Sequence, residues 1–385
     1  MKKKAFDTAI FIFVFTAGFF LLLAISDRRH IFDNTEPTFI FGPSLIMQEI
    51  RKPTGPVTKP KPLSIRVAIT QKSPEVFSYA HGTVMVRDKI YVGMAARNGN
   101  PFPTNQIFVF SDLSNLNDMR VVSLPTTGDI GSMVYDDLND QIYFMVSNIG
   151  GLQIFRMNPR TFQISTVIST TSIDVGMKPA ITTDGKYIYG ITYTDPSTIF
   201  KVNVNGAPQL LTSTGHIMNG HSAVAYRYGS STELYVAGGE ADLFEKVKAD
   251  DLTSISKRYF PGCSITDDMP YQNIDSKGGY VYLGCERIPY GYRVKTDDLT
   301  FTRFSLPGSS FGMFIYGSDL YNAAHDGNYD IFKAMDISKP KRYYVGEDTQ
   351  LNELFVSTTT NSLYFTGWWG VKGLYGVASS SGTTL

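Results

Sequence analysis

Short apolar segments alternate with polar turns along the chain from Ser64 onward. Seven of these segments share one form, in which a tyrosine lies among aliphatic residues, as in KIYVGMA, QIYFMVS and ELYVAGG. Their tyrosines are Tyr91, Tyr143, Tyr189, Tyr235, Tyr282, Tyr321 and Tyr364. Apolar segments of this length, bounded by turn-forming residues, predict β-strands. Abundant Tyr and Phe, with only 18% charged residues, favour an all-β chain.

A second apolar segment follows each tyrosine segment after a variable loop. It is marked by an aromatic residue, which is Phe108, Phe155, Phe200, Phe244, Tyr292, Phe332 or Tyr375. Since two independent markers recur with one period, the pattern predicts a repeated supersecondary unit. Each unit contains an inner strand, the tyrosine strand, the aromatic strand and an outer strand, with turns such as Asp184-Gly185 between them.

Units of four strands with a period in the forties resemble the blades of β-propellers. The resemblance predicts an all-β, seven-bladed β-propeller of four-stranded blades over residues 64–385. The seventh unit lacks an outer strand, whereas SIRVAIT, from Ser64 to Thr70, is a strand without a unit. We expect this N-terminal strand to complete the last blade, because closing the ring in this way removes open sheet edges.

One segment is similar to a more specific family. The stretch from Gly220 to Glu240, GHSAVAYRYGSSTELYVAGGE, resembles a kelch blade through its turn and its closing Gly-Gly pair. The other six units carry different residue pairs in place of Gly-Gly. The kelch likeness therefore covers a single blade.

The N-terminus is typical of a membrane-targeting segment. After three lysines, Thr8–Ile25 runs for eighteen residues without a charge, close to the length that crosses a bilayer as a helix. Residues 1–26 therefore predict a transmembrane signal-anchor helix with the lysines inside the cell. Ala24 and Ser26 have the spacing of a signal-peptidase site, and cleavage there would release the rest of the chain. Either outcome places the propeller outside the cytosol.

Residues 27–63 connect this apolar segment to the first predicted strand. The second part, KPTGPVTKPKP from Lys52 to Pro62, contains too many prolines for a helix or a central strand. We expect a juxtamembrane segment followed by an extended, proline-rich stalk.

Charge and cysteine content narrow the possible partners. The chain has 35 basic and 35 acidic residues, and its basic residues are scattered, so nucleic acid is not expected as a partner. Cys263 and Cys285 are the two cysteines, and an even, sparse count is typical of a disulfide in an oxidising compartment. The alternative is a pair of buried free thiols.

Propellers commonly bind ligands on the face formed by the loops between second and third strands and between successive blades. We call this the top face. The top-face candidates are aromatic and charged residues of the variable loops: Trp368, Trp369, Arg97, Phe102, His325, Asp326, Arg287 and Glu240. Aromatic rings beside charged groups suit a glycan or a peptide. Alternatively, the two tryptophans belong to the core of the last blade.

A second candidate set lies where the inner strands begin, around the predicted central channel: His81, Lys178, His221, Gln272 and Glu353. Their spacing matches no known zinc or calcium motif, so no metal is assigned and no cofactor is expected. These residues are equally suited to lining a hydrated channel.

Two functions follow from these observations. The first is a membrane-anchored, extracytoplasmic binding or scaffold module that recognises a protein or glycan through its top face. The second is a propeller hydrolase similar to lactonases and strictosidine synthases, with a metal or acid in the channel, for which Glu353 and the histidines are the available groups. The sequence contains no catalytic signature, so binding is favoured over catalysis.

Overall fold

The computed structural model describes residues 65–67, 80–94, 105–111, 119–147, 150–176, 179–228, 230–238, 243–263, 274–285, 288–306, 310–316, 318–324, 328–333, 336–344, 351–357, 362–367 and 373–378. All of them belong to one compact unit, Thr58–Leu385. Every regular element in these ranges is a β-strand, so the prediction of an all-β chain is confirmed.

The described strands form seven four-stranded antiparallel sheets. Six of the sheets use four consecutive strands, with the first strand at one edge and the fourth at the other. Sheet 1 consists of β2 (Ala80–Val86), β3 (Lys89–Met94), β4 (Gln106–Phe110) and β5 (Met119–Ser123). Sheet 2 consists of β6 (Asp129–Asp136), β7 (Gln141–Ser147), β8 (Leu152–Met157) and β9 (Ile164–Thr170). Sheet 3 consists of β10 (Ala180–Thr183), β11 (Tyr187–Ile191), β12 (Thr198–Asn203) and β13 (Leu210–Thr214).

Sheets 4 to 6 repeat the same arrangement. Sheet 4 consists of β14 (Gly220–Tyr228), β15 (Ser231–Gly238), β16 (Leu243–Lys248) and β17 (Ser254–Tyr259). Sheet 5 consists of β18 (Ile274–Lys277), β19 (Tyr280–Gly284), β20 (Tyr290–Lys295) and β21 (Phe301–Ser305). Sheet 6 consists of β22 (Ser310–Tyr316), β23 (Asp319–Ala324), β24 (Asn328–Lys333) and β25 (Asp336–Tyr344).

Sheet 7 combines strands from both ends of the described chain. It contains β26 (Leu351–Ser357), β27 (Ser362–Gly367), β28 (Gly373–Ala378) and β1 (Ile65–Val67). β1 pairs antiparallel with β28, with Ile65 opposite Val377 and Val67 opposite Tyr375. The fourth strand of this sheet therefore precedes all the other strands in sequence.

The sheets follow one another around an axis. The first strand of each sheet contacts the first strand of the next, in the order β2, β6, β10, β14, β18, β22 and β26. First strands are thus innermost and fourth strands outermost. Repeated four-stranded sheets packed through their inner strands are the architecture of a β-propeller.

The hydrophobic core lies between neighbouring sheets rather than in one central mass. One cluster of buried residues joins Tyr91 and Ile107 of sheet 1 to Phe155 of sheet 2. Similar clusters join sheets 2 and 3, sheets 3 and 4, sheets 4 and 5, and sheets 5 and 6. The seven repeated tyrosines are all buried, and the first five of them belong to these clusters.

Close packing fixes some small residues. Gly190 lies opposite Phe200 across β11 and β12, and a Cβ atom at position 190 would collide with the Phe200 ring. The aromatic marker of sheet 3 therefore requires glycine as its cross-strand neighbour.

In the ranges that the structure describes, no helix has the length and apolar character needed to span a membrane. Thr8–Ile25 and residues 27–63 lie outside those ranges. The transmembrane segment and the stalk therefore stay predictions.

Candidate functional site

The predicted channel residues fall on the innermost strands where these can be followed. His81, His221 and Glu353 lie near the starts of β2, β14 and β26, and each falls within a break in register against the neighbouring strand. Such bulges redirect side chains and are common beside functional sites. The three side chains themselves, and the whole of Lys178 and Gln272, are outside the described part of the chain.

The top-face candidates cannot be placed in the same way. Trp368, Trp369, Arg97, Phe102, His325, Asp326, Arg287 and Glu240 are all outside the described residues. Their contribution to a ligand site stays a prediction.

The two cysteines form a disulfide. Cys263 follows β17 of sheet 4, Cys285 directly follows β19 of sheet 5, and their Cα atoms are 4.6 Å apart. Both residues are buried, and the backbone N–H of Ser310 donates to the Cys285 carbonyl. The bridge therefore connects sheets 4 and 5 on the top face.

The opposite face carries a recurring contact between sheets. In sheets 2, 3 and 4 the repeated tyrosine lies across from a basic residue on the third strand, namely Arg156, Lys201 or Lys246. The partner is the turn between the third and fourth strands of the next sheet, which we call the far turn. A hydrogen bond from the tyrosine or the basic residue to this turn closes the junction between the sheets.

Three junctions are closed in this way. Between sheets 1 and 2, the Tyr91 hydroxyl donates to the Pro159 carbonyl over 2.9 Å. Between sheets 3 and 4, Lys201 Nζ donates to the Ala249 carbonyl over 2.9 Å. Between sheets 4 and 5, Lys246 Nζ donates to the Thr296 carbonyl over 2.6 Å and pairs with Glu233 at 2.9 Å.

The junction between sheets 2 and 3 is open instead. Arg156 turns back on its own sheet, where its Nε donates to Ser165 Oγ over 2.9 Å. The space left between Tyr143, Arg156 and the far turn at Asn205 is a cleft of about 650 Å³. This volume lies within the range of small-molecule sites.

Amide side chains dominate the walls of the cleft. They come from both sheets and are Asn139, Gln141, Asn158, Gln163 and Asn205. Arg156 is the charged residue in the lining, and no carboxylate is among the described residues that line it. Amides donate and accept hydrogen bonds, so they match hydroxyl groups, while a guanidinium matches a carboxylate or phosphate.

Tyr143 supplies a further donor to the cleft. Among the described residues, neither its hydroxyl nor the terminal N–H groups of Arg156 have a hydrogen-bond partner. Burial, together with the charge of Asp136, raises the pKa of Tyr143 to about 12 despite the opposing charge of Arg156. Tyr143 therefore stays protonated at neutral pH and is available to donate to a ligand.

Tyr143, Arg156 and Asn205 were not among the sequence candidates. A signal for them exists, because a basic residue directly follows the aromatic marker in IFRM and IFKV. What the sequence does not reveal is that Arg156 bonds within its own sheet while Lys201 reaches the next one. That difference is a matter of side-chain direction.

A second polar cluster lies between the outer part of sheet 3 and sheet 4. His216, after β13, has Nδ1 3.0 Å from Glu245 Oε1 and Nε2 3.0 Å from Ser213 Oγ. Glu245 and His216 are buried, whereas Ser213 is partly exposed. The three residues form a continuous Ser-His-Glu chain, which was also missed from the sequence.

Glu245 breaks the repeat at its position. It lies opposite Val236, the residue after the repeated tyrosine, where sheets 1, 2, 3, 5 and 7 place the aromatic marker. Burial opposes ionisation of Glu245, but hydrogen bonds from His216 and Ser254 and the charges of His216 and Lys257 outweigh it, so its pKa is lowered. A carboxylate therefore occupies a register position that is aromatic in those sheets, while the Phe244 ring stays buried one residue earlier.

No group of three or more His, Cys, Asp and Glu side chains suited to a metal ion occurs within the described ranges. No protein-family model matches this chain, and no curated protein matches it.

Solved structures do match the fold. A chain in "Crystal Structure of Mitotic Checkpoint Complex" aligns over 89% of this chain and 100% of its own length, with a TM-score of 0.59 and 10% identity. Sqt1 of Saccharomyces cerevisiae aligns over 79% of this chain and 96% of its own length, with a TM-score of 0.52 and 10% identity. The RRP9 WD40 repeats align over 62% and 73%, with a TM-score of 0.50 and 14% identity.

The RRP9 structure is described as WD40 repeats, and the present chain shares the fold of these three structures. The predicted β-propeller resemblance is therefore confirmed. At 10–14% identity the similarity concerns the fold alone.

Proposed function

We propose that this chain is a membrane-anchored binding propeller, displayed outside the cytosol, which recognises a protein or glycan partner. In this proposal the seven sheets are seven blades of one ring, and β1 completes the last blade. Support comes from the ordered contacts of the inner strands and from the pairing of β1 with β28. The Cys263–Cys285 disulfide supports an oxidising compartment.

The open junction between sheets 2 and 3 carries the proposal. Three other junctions satisfy their donors internally, whereas Tyr143 and Arg156 present donors to a cleft lined by amides. A ligand rich in acceptors would supply the hydrogen bonds that the far turn supplies elsewhere. Of the two proposed kinds of partner, protein and glycan, the cleft favours a glycan that carries a carboxylate. The lining of the cleft offers little apolar surface to anchor a peptide.

A glycan array tests this function with the full chain in detergent. We expect binding to acidic glycans, and we expect Arg156→Gln to weaken it at least about tenfold, since hydrogen bonds to charged groups contribute about 1.5–3 kcal/mol. The matched control is Arg160→Gln, which removes a basic residue from the turn that follows the same strand but not from the cleft. Binding that is equally weakened by both variants would contradict a specific role for the cleft.

Variants of the predicted top face are tested for glycan binding in the same experiment. Trp368→Ala and Trp369→Ala leave the cleft residues unchanged. If they abolish binding while Arg156→Gln does not, the ligand binds at the top face and the cleft assignment is wrong. If no glycan and no protein is retained by the wild type, the binding function itself is wrong.

Membrane display has its own test. Protease added to intact cells that express the full chain should digest the propeller, and the cell pellet should retain it before digestion. Recovery of the propeller in the medium would indicate cleavage after Ser26 instead of anchoring. Protection from protease in intact cells would contradict the extracytoplasmic location.

A further inference from the structure

The Ser-His-Glu chain between sheets 3 and 4 has the connectivity of a nucleophile, a general base and an orienting carboxylate. Ser213 Oγ lies 3.0 Å from His216 Nε2, and His216 Nδ1 lies 3.0 Å from Glu245 Oε1. Both distances are within hydrogen-bond reach, as required of a nucleophile and its base. Proteins on unrelated folds use this order of groups, so geometry rather than fold identifies it.

The carboxylate determines the form of the histidine. Glu245 is fully buried, and Lys257 Nζ lies 3.5 Å from its second oxygen. In the neutral tautomer of His216 whose Nδ1–H donates to Glu245 Oε1, Nε2 is free to accept the Ser213 proton. This tautomer is the one that activates a serine hydroxyl.

Ser213 is placed where a substrate can reach it. It is the penultimate residue of the outermost strand β13 and is partly exposed. Leu211 lies two residues earlier, so its side chain is on the same face of the strand, and it is 42% exposed. An apolar group of a substrate therefore has a surface beside the hydroxyl.

The position of Glu245 argues against a simple packing role. Five other sheets place an aromatic residue there and sheet 6 places Asp330 there, and burial of a carboxylate costs free energy that a ring would not. The strand pair that carries Glu245 also contains a register shift directly after it, at Lys246 and Val247.

We propose that Ser213, His216 and Glu245 form an esterolytic centre for carboxylic esters with a small apolar acyl group. Ser213 Oγ attacks the ester carbonyl carbon as its proton passes to His216 Nε2, and the departing alcohol takes that proton as the C–O bond breaks. Water then attacks the acyl-serine, its proton returns through His216 to Ser213 Oγ, and the acid is released. Ser213 and His216 are the catalytic residues, and Glu245 is a positioning residue.

The test uses the full chain in detergent with a fluorophosphonate probe, which bonds to an activated serine through phosphorus and loses fluoride. Mass spectrometry should locate the adduct on Ser213, and Ser213→Ala should abolish it. Ser169→Ala is the matched control, because Ser169 is the exposed penultimate residue of the outer strand of sheet 2. Labelling of that variant should equal labelling of the wild type.

Hydrolysis of p-nitrophenyl acetate separates catalysis from structure. His216→Gln should lower kcat by about 10²–10⁴-fold, the usual contribution of general base catalysis. Glu245→Gln should lower kcat at least about tenfold with KM little changed, and Glu245→Asp should recover part of the loss. Thermal melts confirm that each variant is folded.

Two outcomes would overturn the proposal. The first is a folded wild type in which the probe leaves Ser213 unmodified. The second is an unchanged kcat in Ser213→Ala, which is expected to fold because the serine is partly exposed. Either result assigns the three residues to a structural network between sheets 3 and 4. Neither bears on the cleft at Arg156, whose ligand is tested separately.

Discussion

The junction between sheets 2 and 3 and the junction between sheets 4 and 5 contain the same types of residue. Each places a repeated tyrosine across from a basic side chain, Arg156 in one and Lys246 in the other. Lys246 reaches the far turn at Thr296, but Arg156 bonds to Ser165 and leaves a cleft. A repeat can therefore produce a cleft when one of its contacts between sheets is not made.

The largest expected effect on stability concerns the disulfide that connects sheets 4 and 5 on the top face. Replacing both Cys263 and Cys285 with serine should lower the free energy of unfolding by about 3 kcal/mol, as expected for a loop of this length. The measurement is thermal or denaturant unfolding of the variant against the wild type. If stability changes by less than about 1 kcal/mol, the hydrogen bonds of Lys246 suffice to hold sheets 4 and 5 together.

The second prediction extends the comparison to the inner ring. The neutral hydroxyl oxygens of Ser132 and Thr182 each accept a hydrogen bond from a backbone N–H of the next inner strand. At the equivalent contact, the Asp275 carboxyl group accepts a hydrogen bond from the Ile315 N–H over 2.7 Å. Burial raises the pKa of Asp275 to about 6, against opposing hydrogen bonds from Ile315 and Ser276. The folded state therefore holds a proton on Asp275 at a pH at which the unfolded chain has lost it.

The sign of the effect follows from that difference. Asp275 stabilises the fold fully below its unfolded pKa near 3.8, and this contribution is lost as the pH rises through about 6. The free energy of unfolding of Asp275→Asn should equal that of the wild type near pH 4 and should be larger at pH 7 by up to about 3 kcal/mol. Melting curves across this range measure the effect. A difference that does not vary with pH would show that Asp275 titrates normally.

The third prediction addresses the basic residues directly. Lys246→Met should destabilise the fold by about 2 kcal/mol, because it removes a charged hydrogen bond to Thr296 and leaves Glu233 without its ion-pair partner. Arg156→Met should cost less than about 0.5 kcal/mol, since Arg156 makes no contact with the next sheet that would be lost. Equal losses of stability in urea unfolding would mean that the two junctions do not differ.

The smallest expected effect on stability is the difference between removing the Tyr91 hydroxyl and removing the Tyr143 hydroxyl. Tyr91→Phe should cost about 1 kcal/mol, because it removes the hydrogen bond to the Pro159 carbonyl. Tyr143→Phe removes a hydroxyl that faces the cleft and should leave stability nearly unchanged. Its effect should appear in ligand affinity instead. A larger stability loss for Tyr143→Phe than for Tyr91→Phe would reverse the assignment of open and closed junctions.

The repeat made the fold readable from the sequence. The tyrosine segments are the second strands of the sheets, and the aromatic segments are the third strands, from β4 to β28. Periodic burial leaves a periodic pattern, because each junction must be filled by a large side chain at the same position. The β-propeller itself followed from this regularity.

The candidate sites depend on departures from the repeat, and these were harder to find. Glu245 follows Phe244 in sequence, so the aromatic marker looked intact there, although a shift of one residue moves Phe244 to a different partner. His216 and Ser213 lie far from Glu245 in the chain and meet it only through the packing of two sheets. Sequence spacing carries no record of such a contact.

The position of β1 has a mechanical consequence. β1 is the first strand of the described chain and has only three residues, and its partner β28 is the last strand. A pull transmitted along the N-terminal segment would therefore load the Ile65–Val377 and Val67–Tyr375 pairs before any other strand. In a chain pulled from its N-terminus, those few backbone hydrogen bonds would be the first to break, and β1 would separate from β28 before the other sheets carry load.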